Sequence, residues 1–302
     1  MDVRSLARLI SLVEDGGPGL REALAQLRPA SATRVIGLTG APGVGKSTTT
    51  AALVTSYRSL DLQVAVLAVD PSSPFSGGAL LGDRVRMQAH SGDAGVYIRS
   101  MASRGHLGGL SRATPQAVRV LSAAGFDVVL IETVGVGQAE VDIAALADTT
   151  VVLLAPGMGD SVQAAKAGIL EVADVLVVNK ADRDGASLTV RDLQAMLSYA
   201  DRHPAGWTPP IVRTVASAGS GIDELVSAID AHAAWAAASG THGQRRLGRA
   251  AAEVRALVLE RYAGRVEGVR GGASLPALAA RVAAGEMDAY AAADALTVEL
   301  AD

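Results

Sequence analysis

The fold of this 302-residue chain is most constrained by short segments that are apolar on both faces. They are rich in Val, Ile and Leu, and stretches with helical spacing of apolar residues separate them. The predicted strands are residues 34–39, 63–69, 128–132, 149–155, 175–179 and 211–216. Strands of this kind, alternating with helices, indicate a mostly parallel sheet that is covered on both sides. We therefore expect a three-layer α/β domain.

Helical patterns flank this region at both ends. Residues 1–30 are predicted to form two short helices, because Leu6, Leu9, Ile10 and Val13 recur at helical spacing before a Gly-Gly-Pro-Gly break. Beyond residue 239 the strand pattern stops, and Ala- and Leu-rich helices are predicted. Their ranges are 245–262, 274–284 and 288–300. The predicted organisation is a helical extension over residues 1–30, an α/β domain over 31–238 and a helical arm over 239–302.

Composition excludes several classes of protein. The chain has no cysteine, which excludes disulfides, thiolate metal sites and cysteine nucleophiles. A net charge of −4 gives no electrostatic footprint for nucleic acid. Apolar runs are far shorter than the roughly 20 residues that cross a bilayer, and no secretory signal is apparent. We expect a cytoplasmic protein that binds neither nucleic acid nor membranes.

A glycine-rich loop carries the strongest chemical signal. Residues 40–48 read Gly-Ala-Pro-Gly-Val-Gly-Lys-Ser-Thr, which matches G-x-x-x-x-G-K-[ST] between a predicted strand and a predicted helix. Backbone N–H groups of such a loop cradle phosphates at a helix N-terminus. Lys46 is expected to bridge β- and γ-phosphate oxygens, and the Ser47 hydroxyl to take one Mg²⁺ position. The predicted phosphate-binding residues are Gly40, Ala41, Pro42, Gly43, Val44, Gly45, Lys46, Ser47 and Thr48.

Two further motifs favour guanine as the base. Asn179-Lys180-Ala181-Asp182 follows a predicted strand and matches the N-K-x-D pattern. The Asp182 carboxylate can accept hydrogen bonds from guanine N1 and N2, which adenine does not offer, and the Lys180 stem can lie over the base. Ser217-Ala218-Gly219 resembles the S-A-x element whose backbone contacts guanine O6. Together with the phosphate loop, these motifs predict bound GTP or GDP rather than ATP.

The remaining candidates lie at strand ends and in loops. Glu132 and Gly135 stand where most GTPases have D-x-x-G, so Glu132 can hold Mg²⁺ through water and the Gly135 N–H can meet the γ-phosphate. Asp70 ends a predicted strand and is expected to orient the attacking water. Asp83 is expected to reach the Mg²⁺ shell, and Arg104, with Arg84 and Arg86 as alternatives, to neutralise transition-state charge. The predicted catalytic residues are Lys46, Asp70, Asp83, Glu132 and Arg104, and the predicted metal ligands are Ser47, Asp70, Asp83 and Glu132.

Taken together, these motifs resemble the MeaB/ArgK family of GTPases, which includes the MMAA-like proteins. The resemblance is carried by residues 40–48, Asp-Pro-Ser-Ser-Pro at 70–74, Leu-Gly-Asp-Arg at 81–84, Ser-Arg-Gly-His-Leu-Gly-Gly at 103–109, Glu-Thr-Val-Gly-Val-Gly-Gln at 132–138 and Asn-Lys-Ala-Asp at 179–182. The tail at 285–294 also looks like the helical dimerisation arm of that family. The resemblance implies a P-loop GTPase fold of the signal-recognition-particle-like class.

The same resemblance implies a function. It implies a homodimeric, Mg²⁺-dependent GTPase that gates delivery of adenosylcobalamin to an acyl-CoA mutase, such as methylmalonyl-CoA mutase, and guards that enzyme. The mutase would hold the adenosylcobalamin, and an adenosyltransferase is a further implied partner. Two alternatives stay open from the residues: a metallochaperone-type GTPase that inserts a metal into another enzyme, and a scaffold that binds GTP only as a structural ligand.

Overall fold

The computed structural model describes residues 2–28, 32–70, 90, 92–102, 113–133, 139–157, 172–199, 206–269 and 274–301. Two compact units make up the chain, Met1–Arg246 and Leu247–Asp302. Among the helices that the structure describes, none is both long and apolar enough to cross a membrane.

A parallel sheet forms the centre of the first unit. Within the described residues it has seven strands, in the order β3-β2-β4-β1-β5-β6-β7. Their bounds are β1 Arg34–Thr39, β2 Val64–Asp70, β3 Val96–Ala102, β4 Val128–Thr133, β5 Thr149–Leu154, β6 Val175–Asn179 and β7 Ile211–Thr214. The parallel sheet predicted from the sequence is therefore confirmed, and β3 is a strand that the sequence analysis did not predict.

Helices cover both faces of this sheet. Those of the first unit are α1 Val3–Asp15, α2 Leu20–Ala25, α3 Lys46–Ser59, α4 Thr114–Ala123, α5 Ala139–Leu146, α6 Ala186–Tyr199 and α7 Ile222–Ala238, with a 3₁₀ turn at Ala216–Ala218. Helix α8, Thr241–Gly268, begins in the first unit and continues into the second. The second unit also contains α9 Leu275–Ala283 and α10 Ala289–Ala301.

Alternating residues of each strand enter two different hydrophobic clusters. In β2, Val66 packs in a cluster that includes Leu53 of α3, whereas Leu67 packs in a cluster that includes Leu121 of α4. Burying both faces of a strand requires apolar residues at successive positions, which is the pattern seen in the sequence. The predicted three-layer α/β architecture is confirmed.

The first helix of the chain packs into the same core. Asp2 caps α1 by accepting hydrogen bonds from the backbone N–H groups of Arg4 and Ser5, each at 3.0 Å. Leu6, Ile10 and Val13 of α1 are buried with residues of β3 and α4. Helix α1 is thus part of the first unit.

The second unit has a small core of its own. Leu278 of α9 packs with Ala292 and Leu296 of α10, and Val266 of α8 contacts this cluster. Most of α8 beyond residue 246 is exposed, including several large apolar side chains.

Candidate functional site

The strand order places the glycine-rich loop at the point where ligands bind in open α/β sheets. Strand β1 continues through α3 to β2 on one side, whereas β4 continues through α5 to β5 on the other side. The carboxyl end of β1, between β4 and β5, is therefore a topological switch point. The loop that follows β1 lies at this point, next to Glu132 on β4.

Glycines shape this loop. Gly40 has a φ of 137°, and a Cβ there would lie 2.2 Å from the carbonyl oxygen of Leu153 on β5. Gly45 has a φ of 99°, and a Cβ there would lie 2.3 Å from Nδ2 of Asn179. No other residue fits at either position without moving a neighbour. The loop ends where α3 begins at Lys46. The N–H groups of the loop therefore lie at the positive N-terminal end of a helix.

Lys46 folds back over the loop. Its Nζ donates to the carbonyl oxygens of Gly40, at 2.8 Å, and Ala41, at 3.1 Å. The side chain is only 8% exposed. A buried ammonium beside backbone N–H groups makes this a site for a polyanion such as a nucleotide phosphate.

Ser47 and Glu132 form a pair of oxygen groups beside the loop. Ser47 Oγ donates to Glu132 Oε1 at 2.6 Å, and both residues are buried. Mg²⁺ binds through hard oxygen ligands and keeps several waters. A hydroxyl and a carboxylate this close together, next to a phosphate loop, are a donor set that fits Mg²⁺.

Thr50 lies one helical turn beyond Ser47 and touches the same carboxylate. Its Oγ1 lies 3.1 Å from Glu132 Oε2 and 3.0 Å from the carbonyl oxygen of Lys46. The sequence analysis did not identify Thr50. A usable signal was present, because positions three apart in a helix share a face.

Two side chains of the Asn-Lys-Ala-Asp motif donate hydrogen bonds to the glycine-rich loop. Asn179 Nδ2 donates to the carbonyl oxygen of Val44 at 2.8 Å, and Lys180 Nζ donates to that of Gly43 at 2.6 Å. Lys180 has a φ of 57°, a left-handed conformation that turns the chain sharply after β6. The end of β6 thus holds the middle of the loop that follows β1.

The same asparagine also holds the end of β7. Asn179 Oδ1 accepts hydrogen bonds from Thr214 Oγ1 at 3.0 Å and from the Ala216 N–H at 3.1 Å. Its side chain is buried and makes three hydrogen bonds to the protein. Asn179 therefore joins two predicted nucleotide-binding segments. Thr214 and Ala216 were not identified from the sequence.

The predicted base-contacting groups face solvent at this edge. Asp182 is exposed, as are Ser217, Ala218 and Gly219 in and after the 3₁₀ turn. The Ala181 N–H donates to the carbonyl oxygen of Thr214 at 3.0 Å, which joins the two segments. An exposed carboxylate beside an exposed turn leaves room for a planar base.

Other predicted site residues lie wholly or partly outside the part of the chain that the structure describes. The backbone of Asp70 ends β2 at the same sheet edge, but its side chain lies outside the described part. Also outside the described residues are Asp83, Arg84, Arg86, Arg104 and Gly135.

A metal site built from the usual clusters is not found in the part of the chain that the structure describes. There, no group of three or more His, Asp or Glu side chains could hold a metal ion. The Ser47–Glu132 pair differs from such a cluster, because phosphates and waters supply most ligands of a nucleotide-bound Mg²⁺.

Comparison with known proteins agrees with this geometry. The family model of the methylmalonyl Co-A mutase-associated GTPase MeaB matches residues 6–270. A relative from Pyrococcus abyssi is 46% identical over 302 residues, which cover 99% of this chain and 93% of the relative. The GTPase ArgK of Escherichia coli is 39% identical over 233 residues, covering 74% and 70% of the two chains. The crystal structure of an LAO/AO transport system kinase superposes with a TM-score of 0.72 at 26% identity, covering 99% of this chain and 93% of that one.

Proposed function

Because the chain belongs to the MeaB family of mutase-associated GTPases, we propose that it gates adenosylcobalamin delivery to an acyl-CoA mutase and protects that mutase. Its reaction is hydrolysis of GTP to GDP and phosphate. The observation that carries the proposal is the family match over residues 6–270. It agrees with the hydrogen bonds that Asn179 and Lys180 donate to the glycine-rich loop. Adenosylcobalamin belongs to the mutase, and this chain binds GTP or GDP.

Phosphate binding follows from the contacts of Lys46. Its ammonium leaves the carbonyl oxygens of Gly40 and Ala41 for β- and γ-phosphate oxygens when GTP enters. The N–H groups of the loop and of the first turn of α3 surround the β-phosphate. Water attacks the γ-phosphorus in line with the bond to the β-phosphate oxygen, which takes the electron pair as GDP leaves. Positioning and charge neutralisation carry most of such a reaction.

Ser47 and Glu132 are the residues that would hold Mg²⁺. When bound, the ion neutralises charge on the phosphate oxygens. Ser47 Oγ would be the direct ligand while its O–H continues to donate to Glu132 Oε1, which lies 2.6 Å away. Asp70 and Asp83 would complete the ordering of metal and water, and Arg104 neutralises charge on the γ-phosphate. Gly135 donates its N–H to that same phosphate.

Guanine is selected at the exposed end of β6. Asp182 accepts hydrogen bonds from guanine N1 and N2, and the Lys180 stem lies over the base. Backbone groups of Ser217, Ala218 and Gly219 contact guanine O6. Asn179 positions the other two motifs, since its side chain is bonded to Val44 and to the end of β7.

The second unit supports assembly with a second copy. Along α8, Leu247, Val254, Val258 and Tyr262 recur at helical spacing, and all four are exposed. We name this set the arm stripe. A row of large apolar side chains on one helix face is typical of a surface that another helix covers. A homodimer would bury the arm stripe, and the mutase and an adenosyltransferase are the proposed further partners.

The metallochaperone alternative gains no support. A metal-inserting GTPase needs side chains that hold its cargo, and the chain has no cysteine. The described residues also contain no cluster of metal-ligating side chains. A phosphate-release assay separates GTP hydrolysis from nucleotide binding in a purely structural role.

The test is GTP hydrolysis with and without a purified mutase. We expect slow phosphate release from this protein alone and acceleration by its mutase, because an arginine ordered by a partner is worth about 10³–10⁵ in rate. The panel should contain methylmalonyl-, isobutyryl- and hydroxyisobutyryl-CoA mutases, with Lys46→Ala as the inactive control. Turnover of about 1–100 s⁻¹ without a partner would contradict gating. No response to any mutase would remove the cobalamin role and leave the GTPase.

A further inference from the structure

The carboxylate of Glu132 lies beside the glycine-rich loop, in the proposed Mg²⁺ site, where its orientation matters for metal binding. Glu132 is paired with Leu38 of β1 in register, so it lies beside the start of the glycine-rich loop. The residue is 5% exposed, and a buried carboxylate is stable only when hydrogen bonds satisfy its oxygens. A glutamate side chain also has a terminal torsion with broad preferences. One hydrogen bond therefore leaves the plane of the carboxylate free to turn.

Two hydroxyls from one face of α3 meet different oxygens of this carboxylate. Ser47 Oγ donates a hydrogen bond to Glu132 Oε1 at 2.6 Å, and Thr50 Oγ1 donates one to Glu132 Oε2 at 3.1 Å. Because the two donors are one helical turn apart on a rigid element, together they fix the plane of the carboxylate. We propose that Thr50 is a positioning residue that orients Glu132 for the Mg²⁺ of the bound nucleotide.

The neighbouring threonine shows why this contact is more than ordinary helix geometry. Thr49 Oγ1 donates to the carbonyl oxygen of Gly45 at 3.0 Å, four residues earlier, as helical threonines commonly do. Thr50 has the same option, since the carbonyl oxygen of Lys46 lies 3.0 Å away. It also has a carboxylate oxygen within reach, and a hydrogen bond to a charged acceptor is the stronger one. Both threonines are fully buried, so they form a matched pair.

The experiment compares Thr50→Val with Thr49→Val and Thr50→Ser in the full-length protein. Valine keeps the branched shape and removes the hydroxyl, whereas serine keeps the hydroxyl. The first readout is the affinity for a fluorescent GDP, measured in EDTA and then over a Mg²⁺ titration. The second is kcat and KM for GTP as a function of Mg²⁺ concentration. The GDP readout involves no turnover and reports on the metal site directly.

We expect Thr50→Val to raise the Mg²⁺ concentration needed for half-maximal effect by about 10-fold, because partners that orient a metal-binding carboxylate are typically worth 10–100-fold. GDP affinity in EDTA should stay unchanged, and Thr49→Val and Thr50→Ser should match the wild type. Equal Mg²⁺ titrations for Thr50→Val and Thr49→Val would overturn the inference. A loss of GDP affinity in EDTA would also overturn it, because Thr50 would then support the loop itself.

This inference rests on the proposed Mg²⁺ site, and the titration separates the two failures. If wild-type protein binds GDP and hydrolyses GTP identically in EDTA and in Mg²⁺, the metal site and the role of Thr50 are both wrong. If wild-type protein requires Mg²⁺ and Thr50→Val requires no more of it, only the role of Thr50 is wrong.

Discussion

The carboxylate of Asp174 accepts hydrogen bonds from both terminal nitrogens of Arg245, each at 2.8 Å. Asp174 directly precedes β6, and Arg245 lies near the start of α8. The Thr150 N–H donates to the same carboxylate at 2.8 Å, and His232 Nε2 lies 3.1 Å from it. This ion pair thus attaches the first turns of α8 to the amino end of β6, whose carboxyl end carries the guanine motif.

The ion pair predicts an acid-labile contribution to stability. Burial raises the pKa of Asp174, but the hydrogen bonds from Arg245 and the nearby His232 outweigh it and hold the pKa at about 2, below the ordinary 3.8. A carboxyl group whose pKa is lowered by folding stabilises the fold above its unfolded pKa. That contribution is lost as the pH falls from about 4 through about 2. We expect the free energy of unfolding to lose about 2 kcal/mol over this window.

Urea unfolding across this pH range measures the loss. In Asp174→Asn, the part of the acid dependence that belongs to this group should disappear, and the variant should be less stable at neutral pH. Asp182→Asn is the control, because Asp182 is exposed and makes no such ion pair in the described structure. The same acid dependence in wild type and Asp174→Asn would contradict the prediction.

All six predicted strands and the first helices follow from local sequence, whereas β3 does not. The segment Val96–Ala102 reads Val-Tyr-Ile-Arg-Ser-Met-Ala, which mixes polar residues into the apolar run. Its place explains this composition, because among the strands that the structure describes β3 is at the edge of the sheet and pairs with β2 alone. Arg99 on β3 donates to Glu14 and to Ser11 of α1. The partners of that arginine therefore come from α1, more than eighty positions away in sequence.

The candidate site also has one part that local sequence predicts and another part that depends on long-range contacts. The glycine-rich loop could be identified because the glycines that its backbone requires, such as Gly40 and Gly45, lie within one short segment of the sequence. The contact of Asn179 with Val44 joins residues 135 positions apart. That of Thr50 with Glu132 spans 82 positions. Both depend on the order of strands in the sheet, which local patterns do not encode.

Lys46→Ala should abolish tight nucleotide binding and preserve the fold. The ammonium donates to the carbonyl oxygens of Gly40 and Ala41 in the loop and is not part of the apolar core clusters, so its removal leaves the apolar core intact. Circular dichroism and the thermal unfolding midpoint should match the wild type, whereas fluorescent GTP binding should be lost. Unchanged GTP affinity in Lys46→Ala would mean that the loop does not bind phosphate.

A charge placed in the arm stripe should break the proposed dimer. Val254 is 61% exposed on α8, and Val298 is 66% exposed on α10 outside the stripe. Val254→Asp should therefore reduce the mass seen by light scattering from that of two chains to 30.6 kDa, whereas Val298→Asp should leave it unchanged. A wild-type protein that is monomeric, or a Val254→Asp variant that stays dimeric, would show that the arm stripe is not the dimer interface.

The final prediction separates positioning from base recognition within one motif. Asp182→Asn should weaken GTP binding by about 1.5–3 kcal/mol, the cost of losing hydrogen bonds to a charged group. It should also shift preference towards xanthosine nucleotides, because an amide can donate to the 2-oxo group of xanthine. Asn179→Ala should weaken GTP and xanthosine triphosphate alike, since it releases the loop at Val44 and the end of β7 but leaves the Asp182 carboxylate, which distinguishes the two bases, in place. Competition binding of the two nucleotides gives both ratios. An unchanged ratio in Asp182→Asn would contradict base recognition, and a changed ratio in Asn179→Ala would contradict the positioning role.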